Sequence, residues 1–425
     1  MINRLFFRCL TVLSLIVALA GCSTNPVTGE SQLSLISESQ ELSIGAEQYT
    51  PTQQTQGGQF YLDPELTIYV QEVGQKLAAV SDRPDLPYEF VVLNSSVPNA
   101  WALPGGKIAI NRGLLTKLED EAQLASVLGH EIVHAAARHS VQRMQQGMLI
   151  SAGVAGLGFA LSDNEWAGLL MGGAAVGAQI ALAQYSQGDE LESDRYGIEY
   201  MVEAGYDPQA AVELQELFVK LSEGRESGFI DGLFATHPPS QKRVDRNREL
   251  AQKLGTGGYR GKDVYDKKLA TARKLQPAYD AHDAALKLAS EDDLSGALAK
   301  INEAIRIEPD EAMFYALRGR IYQAQDNVAK AEQDFDKAVA LYPEMFSYRL
   351  HNGLNALQQE KLDKARTNLT RANEVVPTSI AFLRLGDVAV KQNRREDAVR
   401  YYSTAAEAGG EVAEEARRKL AQLTQ

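Results

Sequence analysis

Residues 129–139 read Gly-His-Glu-Ile-Val-His-Ala-Ala-Ala-Arg-His, and this stretch decides the fold around it. On an α-helix a four-residue step turns the chain about 40° past a full circle, so His130 and His134 project from one face, about 6 Å apart. Two imidazoles in this position can share one Zn²⁺ ion, whose other positions take a carboxylate and a water. Glu131 is rotated about 100° from His130, which keeps it off the ion but within reach of that water.

A two-histidine metal site needs a third protein ligand, normally a carboxylate from another element. Residues 189–197 read Asp-Glu-Leu-Glu-Ser-Asp-Arg-Tyr-Gly and begin a stretch of helical character. Glu190 and Asp194 stand four residues apart, so Glu190 could bind the ion while Asp194 accepts the free ring N–H of a ligand histidine. Glu192 is the rival ligand, but Tyr196, its neighbour at the same spacing, is a poorer acceptor. Acidic residues are also common in the first turn of any helix, where they interact with its dipole.

Three further stretches accompany these motifs. They are Asn-Ala-Trp-Ala-Leu-Pro-Gly-Gly-Lys-Ile-Ala-Ile-Asn-Arg-Gly-Leu-Leu at 99–115, Asn-Pro-Val-Thr-Gly at 25–29 and Thr-His-Pro-Pro at 236–239. With them the chain resembles the gluzincin metallopeptidases of the CAAX prenyl endopeptidase and Oma type. Among these, it is most similar to periplasmic members that join such a domain to tetratricopeptide repeats. The resemblance extends over about residues 25–425; it is specific in the first half and generic in the repeats.

The resemblance implies one zinc ion per chain and assigns a role to five residues. Its metal ligands would be His130, His134 and Glu190. Glu131 would be the general base, and Asp194 would hold the ring of a ligand histidine.

His237 matches a loop histidine that, in relatives, can occupy the open position of the zinc ion and keep the enzyme latent. From its own sequence context, His237 before two prolines is a histidine in a rigid loop. The alternatives are a plain surface position and a role in stabilising the transition state. Arg195 and Arg243 are further candidates for stabilising an oxyanion.

The function that the resemblance implies is zinc-dependent hydrolysis of peptide bonds in misfolded or stalled proteins of the bacterial envelope. The repeats would recruit the client or the outer-membrane protein assembly machinery. The alternative is a chaperone or adaptor for outer-membrane protein assembly whose zinc site is latent, capped by His237. A zinc esterase or amidase is a weaker candidate, because the motif pair favours peptides only by analogy.

The amino terminus predicts a compartment. Arg4 and Arg8 precede an apolar run, Cys9–Ala20, with the charge and length of a signal peptide rather than a membrane span. The run ends in Leu-Ala-Gly-Cys, the cleavage pattern of a bacterial lipoprotein in which Cys22 is acylated.

We therefore expect a signal peptide at 1–21 and a lipidated tether at 22–36. Ser23, in place of the aspartate that retains such proteins in the inner membrane, favours a lipid anchor in the outer membrane, on its periplasmic side, in a Gram-negative bacterium. The alternative is an ordinary cleaved signal with an incidental cysteine. Cleavage would leave one cysteine, so the mature chain would depend on core burial and metal rather than on an internal disulfide.

Composition describes a globular protein with no affinity for polyanions. The 425 residues are 44% hydrophobic and 23% charged, which are ordinary globular values, and the formal net charge is −13. Such a charge excludes electrostatic binding of nucleic acid or of anionic lipid.

The second half of the chain repeats every 34 residues. Three prolines and two sets of alanines keep this period: Pro309, Pro343 and Pro377; Ala297, Ala331 and Ala365; Ala304, Ala338 and Ala372. The period and its small residues are typical of tetratricopeptide repeats. We predict four repeats starting near 278, 312, 346 and 380 and a capping helix at 412–424, all within 278–425. Such a stack binds extended or helical segments of other proteins in its concave groove, although it can also be a packing module without a ligand.

The first half predicts a metallopeptidase domain at 37–254, joined to the repeats by a glycine-rich linker at 255–277. Its elements are helices near 38–50, 64–80, 119–146, 190–201, 208–223 and 239–254, with strands at 88–93 and 107–111. Few strands among many helices indicate an α+β, zincin-like domain with a small sheet, followed by an all-α solenoid. The strand at 107–111 is expected at a sheet edge beside the zinc ion, where a substrate could add as a further strand.

Residues 147–184 are apolar and glycine-rich around a polar turn, which predicts a helical hairpin. The first arm is shorter than the ~20 residues of a membrane span. We expect a buried or site-covering hairpin, with membrane contact as the alternative.

Overall fold

The computed structural model describes residues 21–155, 184–224, 232–255, 257–408 and 410–424. Contacts divide the chain into two units. The N-terminal unit comprises the residues up to Thr52 together with Glu65–Leu269, and the repeat unit comprises Gln53–Pro64 together with Ala270–Gln425. The N-terminal unit is mostly helical with a small sheet and the repeat unit is all helical, which confirms the predicted fold class.

A three-stranded sheet lies in the N-terminal unit. It consists of β3 (Glu89–Leu93), β4 (Ala100–Leu103) and β5 (Lys107–Asn111) in the order β3-β5-β4. β3 pairs with β5 in parallel, and β4 pairs with β5 antiparallel. The prediction that 107–111 forms an edge strand is therefore wrong. β4 was not predicted, because four consecutive buried residues show no alternation that would mark a strand.

The rest of the N-terminal unit is mainly helical, and several of its helices match their predicted positions within a few residues. They are α1 (Glu38–Thr55), α2 (Pro64–Ala78), α3 (Arg112–Leu115), α4 (Glu121–Ala136), α5 (His139–Ala155), α6 (Gln187–Glu203), α7 (Gln209–Glu223), α8 (Leu233–Thr236), α9 (Gln241–Leu254) and α10 (Lys262–Lys268). Trp101 and Leu103 of β4 belong to a buried cluster with Val91 and Leu93 of β3 and with Ile36.

The single helix predicted over 119–146 is two helices, α4 and α5. The break lies at Arg138, whose φ of +64° is left-handed and is uncommon for a residue with a side chain. Two contacts hold it there: Arg138 Nε lies 2.8 Å from Glu41 Oε2, and Nη2 donates to Ile36 O over 2.7 Å. The sequence shows no glycine or proline at this point, so local signals could not predict the break.

The predicted tether at 22–36 is folded structure in the described part of the chain. β1 (Gly21–Thr24) and β2 (Ser31–Ser34) form an antiparallel hairpin. After the hairpin, Ile36 N donates to Gln145 Oε1 of α5 over 3.1 Å, and the Ile36 side chain is 2% exposed. Residues 22–36 therefore pack on the N-terminal unit instead of spanning a gap.

The described residues of the predicted linker, 255 and 257–277, also have defined contacts. Tyr259 N donates to Gly205 O over 2.9 Å, and Tyr265 of α10 is fully buried with its hydroxyl donating to Leu115 O. Because aromatic anchors fix this segment, the glycines at 255–261 serve turns rather than flexibility. The first helix of the repeat unit then begins at Ala270.

The repeat unit is a series of helix pairs. Its helices are α11 (Ala270–Ser290), α12 (Leu294–Ile307), α13 (Ala312–Ala324), α14 (Val328–Leu341), α15 (Phe346–Gln358), α16 (Leu362–Val375), α17 (Ser379–Lys391), α18 (Arg395–Glu407) and α19 (Gly410–Thr424). Glycines in the first helix of a pair lie against large side chains in the second, 16 residues later: Gly319 against Phe335, Gly353 against Leu369, Gly386 against Tyr402. The last three pairs begin at or within one residue of their predicted starts, whereas the first begins eight residues earlier.

Residues 53–64 belong to the repeat unit, although the domain predicted over 37–254 contains them. Tyr61 lies 4.9 Å from Tyr342, centroid to centroid, and its hydroxyl donates to Asp310 O over 2.7 Å. Phe60 is 1% exposed and packs edge-on against Tyr279. The N-terminal domain is therefore discontinuous in sequence.

The hairpin predicted over 147–184 lies largely outside the described residues. Within the described part of the chain, no helix has the length and apolar character that crossing a membrane requires.

Candidate active site

The helix that carries the two motif histidines is fixed at both ends. Asp120 caps its first turn by accepting from Gln123 N over 2.9 Å. Every residue of α4 except Ser126 is buried, so its polar side chains face protein rather than solvent. His134 is fully buried and His130 is 9% exposed. Buried imidazoles require partners, and these come from α6 and from the loop after α8.

Helix α6 brings the second motif to the first. Ser186 and Asp189 form a capping box at its start. Glu190 follows Asp189 in the first turn and Asp194 lies one turn later; they are 2% and 6% exposed. α6 crosses α4 at two glycines: a Cβ on Gly197 would meet His130 N at 2.9 Å. This close crossing brings the Glu190 carboxylate to the imidazoles.

Four side chains converge on one point. One nitrogen or oxygen each of His130, His134, Glu190 and His237 lie within 4.8 Å of one another. His134 Nε2 lies 3.0 Å from His130 Nε2 and 3.4 Å from Glu190 Oε1. His237 Nδ1 lies 2.9 Å from Glu190 Oε1 and 3.3 Å from His130 Nε2. Three imidazoles and one carboxylate are a donor set that suits a tetrahedral Zn²⁺ ion.

Glu131 and His237 each have a buried polar atom beside this cluster. Glu131 Oε2 and His237 Nε2 have no hydrogen-bond partner among the described residues. Glu131 is 1% exposed, and its Oε1 lies 3.5 Å from His237 Nε2. Unpaired buried polar groups are costly, so their persistence here fits a site that takes a cation and a water. A cavity of about 30 Å³ adjoins them, lined by His130, Glu131, Asp194, Leu214, Phe218 and Arg243 among others. That volume holds one water molecule.

Electrostatics around the carboxylates favour the ionised form. Burial acts to raise the pKa of Glu190, but the nearby His237, Arg243 and His130 hold it well below its usual range. Burial likewise opposes ionisation of Asp194, and the Arg243 guanidinium outweighs it and lowers that pKa. An ionised carboxylate is what a metal ligand and its supporting acceptor require.

Burial shifts the pKa values of His134, His130 and Glu131 to different extents, because their charged neighbours differ. Burial lowers the pKa of His134 well below its usual range. It acts in the same direction on His130, but the charges of Glu190 and Asp194 overcome it and raise the pKa of His130 to about 9. Burial raises the pKa of Glu131, as expected for a carboxyl group that accepts a proton during a reaction.

Arg243 supports the carboxylates from the back. Its Nε and Nη2 donate to both oxygens of Asp194 over 2.6 and 2.7 Å, and its Nη1 lies 2.6 Å from Glu190 Oε2. Asp194 Oδ1 in turn lies 3.0 Å from His130 Nδ1, the partner expected from the sequence. Arg195, the other arginine considered for the site, has a side chain that is 61% exposed and pairs with Glu199.

Glu192, the rival ligand, is not in the converging group. Its Oε1 lies 3.3 Å from His139 Nε2, and Tyr196 is not among the site residues either. Two further residues contact His134 without having been predicted: His139, whose Nδ1 lies 2.8 Å from His134 Nδ1, and Tyr185, whose ring stacks on His134 at 3.6 Å. His139 ends the stretch 129–139, so its position five residues after His134 was the available signal. Tyr185 carried none.

Comparison with known proteins gives a match to each part of the chain. The sequence profile of peptidase family M48 matches residues 64–251, and that of the tetratricopeptide repeat matches residues 314–345. The chain is 29% identical over 237 residues to the beta-barrel assembly-enhancing protease of Yersinia pestis, covering 54% of this chain and 47% of that protein. The protein of the same name in Escherichia coli K12 is 30% identical over 236 residues, covering 54% and 48%.

A third relative is mitochondrial. The metalloendopeptidase OMA1 of Schizosaccharomyces pombe is 35% identical over 185 residues, which are 43% of this chain and 52% of that protein. The chain thus spans about half the length of the curated relatives it matches. These matches confirm the resemblance found in the sequence, to a metallopeptidase domain that is followed in the same chain by tetratricopeptide repeats.

Proposed function

We propose that this protein is a zinc-dependent endopeptidase of the bacterial cell envelope that hydrolyses misfolded or stalled envelope and outer-membrane proteins. The observation that carries the proposal is the convergence of His130, His134 and Glu190 beside the buried carboxylate of Glu131. Three neutral or anionic ligands leave one position of a tetrahedral ion open, which is the arrangement of catalytic rather than structural zinc sites.

The zinc ion, when bound, would polarise the scissile carbonyl and lower the pKa of the attacking water. Glu131 takes the proton of that water on Oε2, to which the described residues offer no hydrogen bond, and the remaining hydroxide adds to the scissile carbonyl carbon. As the C–N bond breaks, the same carboxyl group gives this proton to the leaving amine, so that one acid and one amine are formed and Glu131 returns to its initial state. The raised pKa of Glu131 supports both transfers, because it brings the group closer to the pH of the reaction.

His130 and His134 contribute their Nε2 atoms, and Asp194 fixes the orientation of the His130 ring. The Arg243 guanidinium keeps Asp194 and Glu190 ionised and in place. Because the guanidinium N–H groups of Arg243 contact these carboxylates, we assign it a positioning role rather than contact with the oxyanion.

An extended substrate would pair along β4. Because Asn111 N donates to Asn99 O, the backbone groups of Trp101 face β5 and those of Ala100 and Ala102 face away. Ser140 Oγ donates to Ala102 O over 3.3 Å, so a substrate strand would displace or share this bond. Strand addition accepts unfolded chains and rejects folded domains.

The two candidate functions assign different roles to His237. Its Nδ1 lies among the metal-ligand atoms, which supports a latent state in which the imidazole occupies the fourth position. If that state persists, the protein acts as a chaperone or adaptor for outer-membrane protein assembly, and its repeats do the work. If it is reversible, His237 is a latch on an active peptidase.

Location and partners follow from the sequence patterns and from the relatives' names. We propose that Cys22 carries a lipid anchor and that the protein faces the periplasm at the outer membrane. The repeats would bind the client polypeptide or the assembly machinery for β-barrel proteins. Labelling of cells with a palmitate analogue, with Cys22→Ser as the control, tests the anchor: label that persists in Cys22→Ser contradicts it.

The central test measures zinc content and casein hydrolysis for the wild type, Glu131→Gln and His237→Ala. We expect one zinc ion per chain in the wild type and in Glu131→Gln, and casein hydrolysis only where Glu131 is present. Higher activity in His237→Ala supports the latch. Zinc without hydrolysis in all three favours the adaptor, and a wild type without zinc overturns the metal site.

A further inference from the structure

The two histidines on α4 are supported in different ways. An imidazole that binds a metal ion through Nε2 keeps its hydrogen on Nδ1, and a partner that accepts this hydrogen fixes the tautomer. His130 and His134 approach each other through Nε2, so both Nδ1 atoms face away from the cluster. His130 Nδ1 faces a carboxylate, Asp194. His134 Nδ1 faces another imidazole, His139, over 2.8 Å.

This contact determines the tautomer of His139. If His134 Nδ1 carries the hydrogen, His139 Nδ1 must accept it, and the hydrogen of neutral His139 is then on Nε2. That nitrogen lies 3.3 Å from Glu192 Oε1, which can accept it. His139 is 2% exposed, so protein atoms rather than water provide its partners. One set of hydrogen positions therefore satisfies all three groups.

The same oxygen of Glu192 accepts a hydrogen bond from Asn25 Nδ2 over 3.1 Å. Asn25 is 6% exposed, and its orientation is set by its own turn. Its Oδ1 accepts from Val27 N over 2.9 Å and from Thr28 N over 3.3 Å, so the amide nitrogen must point to Glu192. The turn between β1 and β2 thus contributes a hydrogen-bond donor to Glu192, which in turn lies beside the His139 ring that contacts His134.

We propose that Asn25, Glu192 and His139 form a relay of positioning residues that holds His134 in the tautomer that binds the metal ion. The N-terminal hairpin is then a structural part of the metal centre, although it lies more than 100 residues before it in the chain. The proposal rests on the zinc site proposed above.

Three substitutions in the full chain separate this role from a packing role. His139→Leu fills the space but offers neither acceptor nor donor. His139→Gln offers a carbonyl oxygen to His134 and an amide hydrogen to Glu192. Asn25→Asp keeps the acceptor for Val27 and Thr28 but sets a second carboxylate against Glu192. Gln32→Ala is the matched control, because it removes another hairpin contact, with Gln142 Nε2, outside the relay.

The measurement is the dissociation constant for Zn²⁺ by chelator competition, with thermal melting of the metal-free proteins as the control for folding. We expect His139→Leu to weaken binding by about 10- to 100-fold and Asn25→Asp by about 10-fold, whereas His139→Gln and Gln32→Ala stay within about threefold of the wild type. Wild-type affinity in folded His139→Leu overturns the relay. A loss in His139→Gln equal to that in His139→Leu also overturns it.

Nitrogen NMR of the protein labelled in its six histidines gives a direct second readout. In the zinc-bound wild type we expect the hydrogen of His139 on Nε2 and that of His134 on Nδ1. A hydrogen on His139 Nδ1 overturns the relay while leaving the zinc site intact. A wild type that binds no zinc overturns the proposed function itself, so the two failures are distinguishable.

Discussion

Arg243 shows how one buried residue supports two others. Its side chain is 3% exposed, and its guanidinium contacts the carboxylates of Asp194 and Glu190. Burying charges is unfavourable unless they are paired with good geometry, and the planar guanidinium provides such pairs. The neighbouring carboxylates raise the pKa of Arg243 above its already high value, so it stays charged at any pH of interest.

We therefore expect Arg243→Leu to destabilise the N-terminal unit by about 3–5 kcal/mol, because it leaves two buried carboxylates unpaired. Arg243→Lys keeps the charge but lacks the planar set of N–H donors that contacts both carboxylates. We expect a smaller loss of stability, of about 1–3 kcal/mol. Calorimetry of the full chain measures both. Arg246→Leu, an exposed change on the same helix, is the control and should stay within about 0.5 kcal/mol. Equal melting of Arg243→Leu and the wild type would contradict this account.

At the residue scale, the sequence predicted the pairs of groups that stand four residues apart on one helix and that the structure brings together. His130, His134, Glu190 and Asp194 each follow from helical geometry, and His237 from resemblance. Arg243, Tyr185 and the part played by Glu192 depend on which elements pack together. No local pattern encodes that packing, so the roles of these residues could be assigned only from the structure.

At the scale of elements, the crossing of α4 and α6 sets the geometry of the site. Gly129 and Gly197 face each other where the helices meet: a Cβ on Gly129 would lie 3.0 Å from Gly197 O. The contacting atoms are helix backbone, which cannot move aside as a side chain can. α6 carries Glu190 and Asp194, so the separation of the helices determines how close the carboxylates come to His130.

Gly197→Ala should push α6 away from α4, weaken Zn²⁺ binding and lower stability by about 1–3 kcal/mol. Gly188→Ala is the matched control on the same helix, because its Cβ would meet only Ser186 Oγ, at 3.5 Å. Zinc affinity by chelator competition and thermal melting of the metal-free protein are the two readouts. If Gly197→Ala binds zinc as tightly as Gly188→Ala, the crossing does not control the site.

Helix α15 of the repeat unit contains a group that responds to pH. Burial, assisted by Arg320, lowers the pKa of His351 to about 4, and its ring stacks on Phe335. The unfolded chain takes up a proton near pH 6.5, whereas the folded repeat resists protonation until about pH 4. The stabilisation is therefore complete above pH 6.5 and is lost as the pH falls from 6.5 to 4.

We expect the amides of α15 to lose about 1–3 kcal/mol of protection between pH 7 and pH 4.5, measured by hydrogen exchange corrected for the intrinsic rate. His351→Phe removes the titrating group and keeps a stacking ring, so this part of the loss should disappear. Measuring one helix avoids treating a two-unit chain as a single transition. A loss of the same size in His351→Phe would assign it to other groups.

Elements differ in how well the sequence predicted them. The 34-residue period fixed the last three helix pairs of the repeat unit to within a residue, because each pair is a local structure with its own packing signals. β4 and the break at Arg138 were missed, because Trp101 and its neighbours are a short apolar run and Arg138 is held by distant partners. Non-local contacts explain both errors.

At the scale of the whole molecule, the two units are not two consecutive stretches of sequence. The chain leaves the N-terminal unit after Thr52, contributes Gln53–Pro64 to the repeat unit and returns at Glu65. The excursion is anchored by aromatic contacts and by hydrogen bonds, among them Phe346 N to Gln54 Oε1 over 2.9 Å and Ala312 N to the Tyr61 hydroxyl over 2.7 Å. Dividing the chain at the predicted domain boundaries, 254 or 277, would therefore not divide it within a linker. It would also separate residues 53–64 from the residues against which they pack.

A variant that ends at Leu269 should keep the metal site but lose the order of residues 53–64. Phe60 is buried against Tyr279, and each large apolar side chain that it uncovers costs about 1.5–3 kcal/mol. Brief digestion with chymotrypsin, followed by mass spectrometry, should show cleavage after Phe60 in this variant and protection in the full chain. Tyr61→Phe in the full chain removes only the hydroxyl bonds to Asp310, Glu311 and Ala312, so its protection should be intermediate. If the shortened variant resists cleavage as well as the full chain does, the segment is held by the N-terminal unit and does not depend on the repeats.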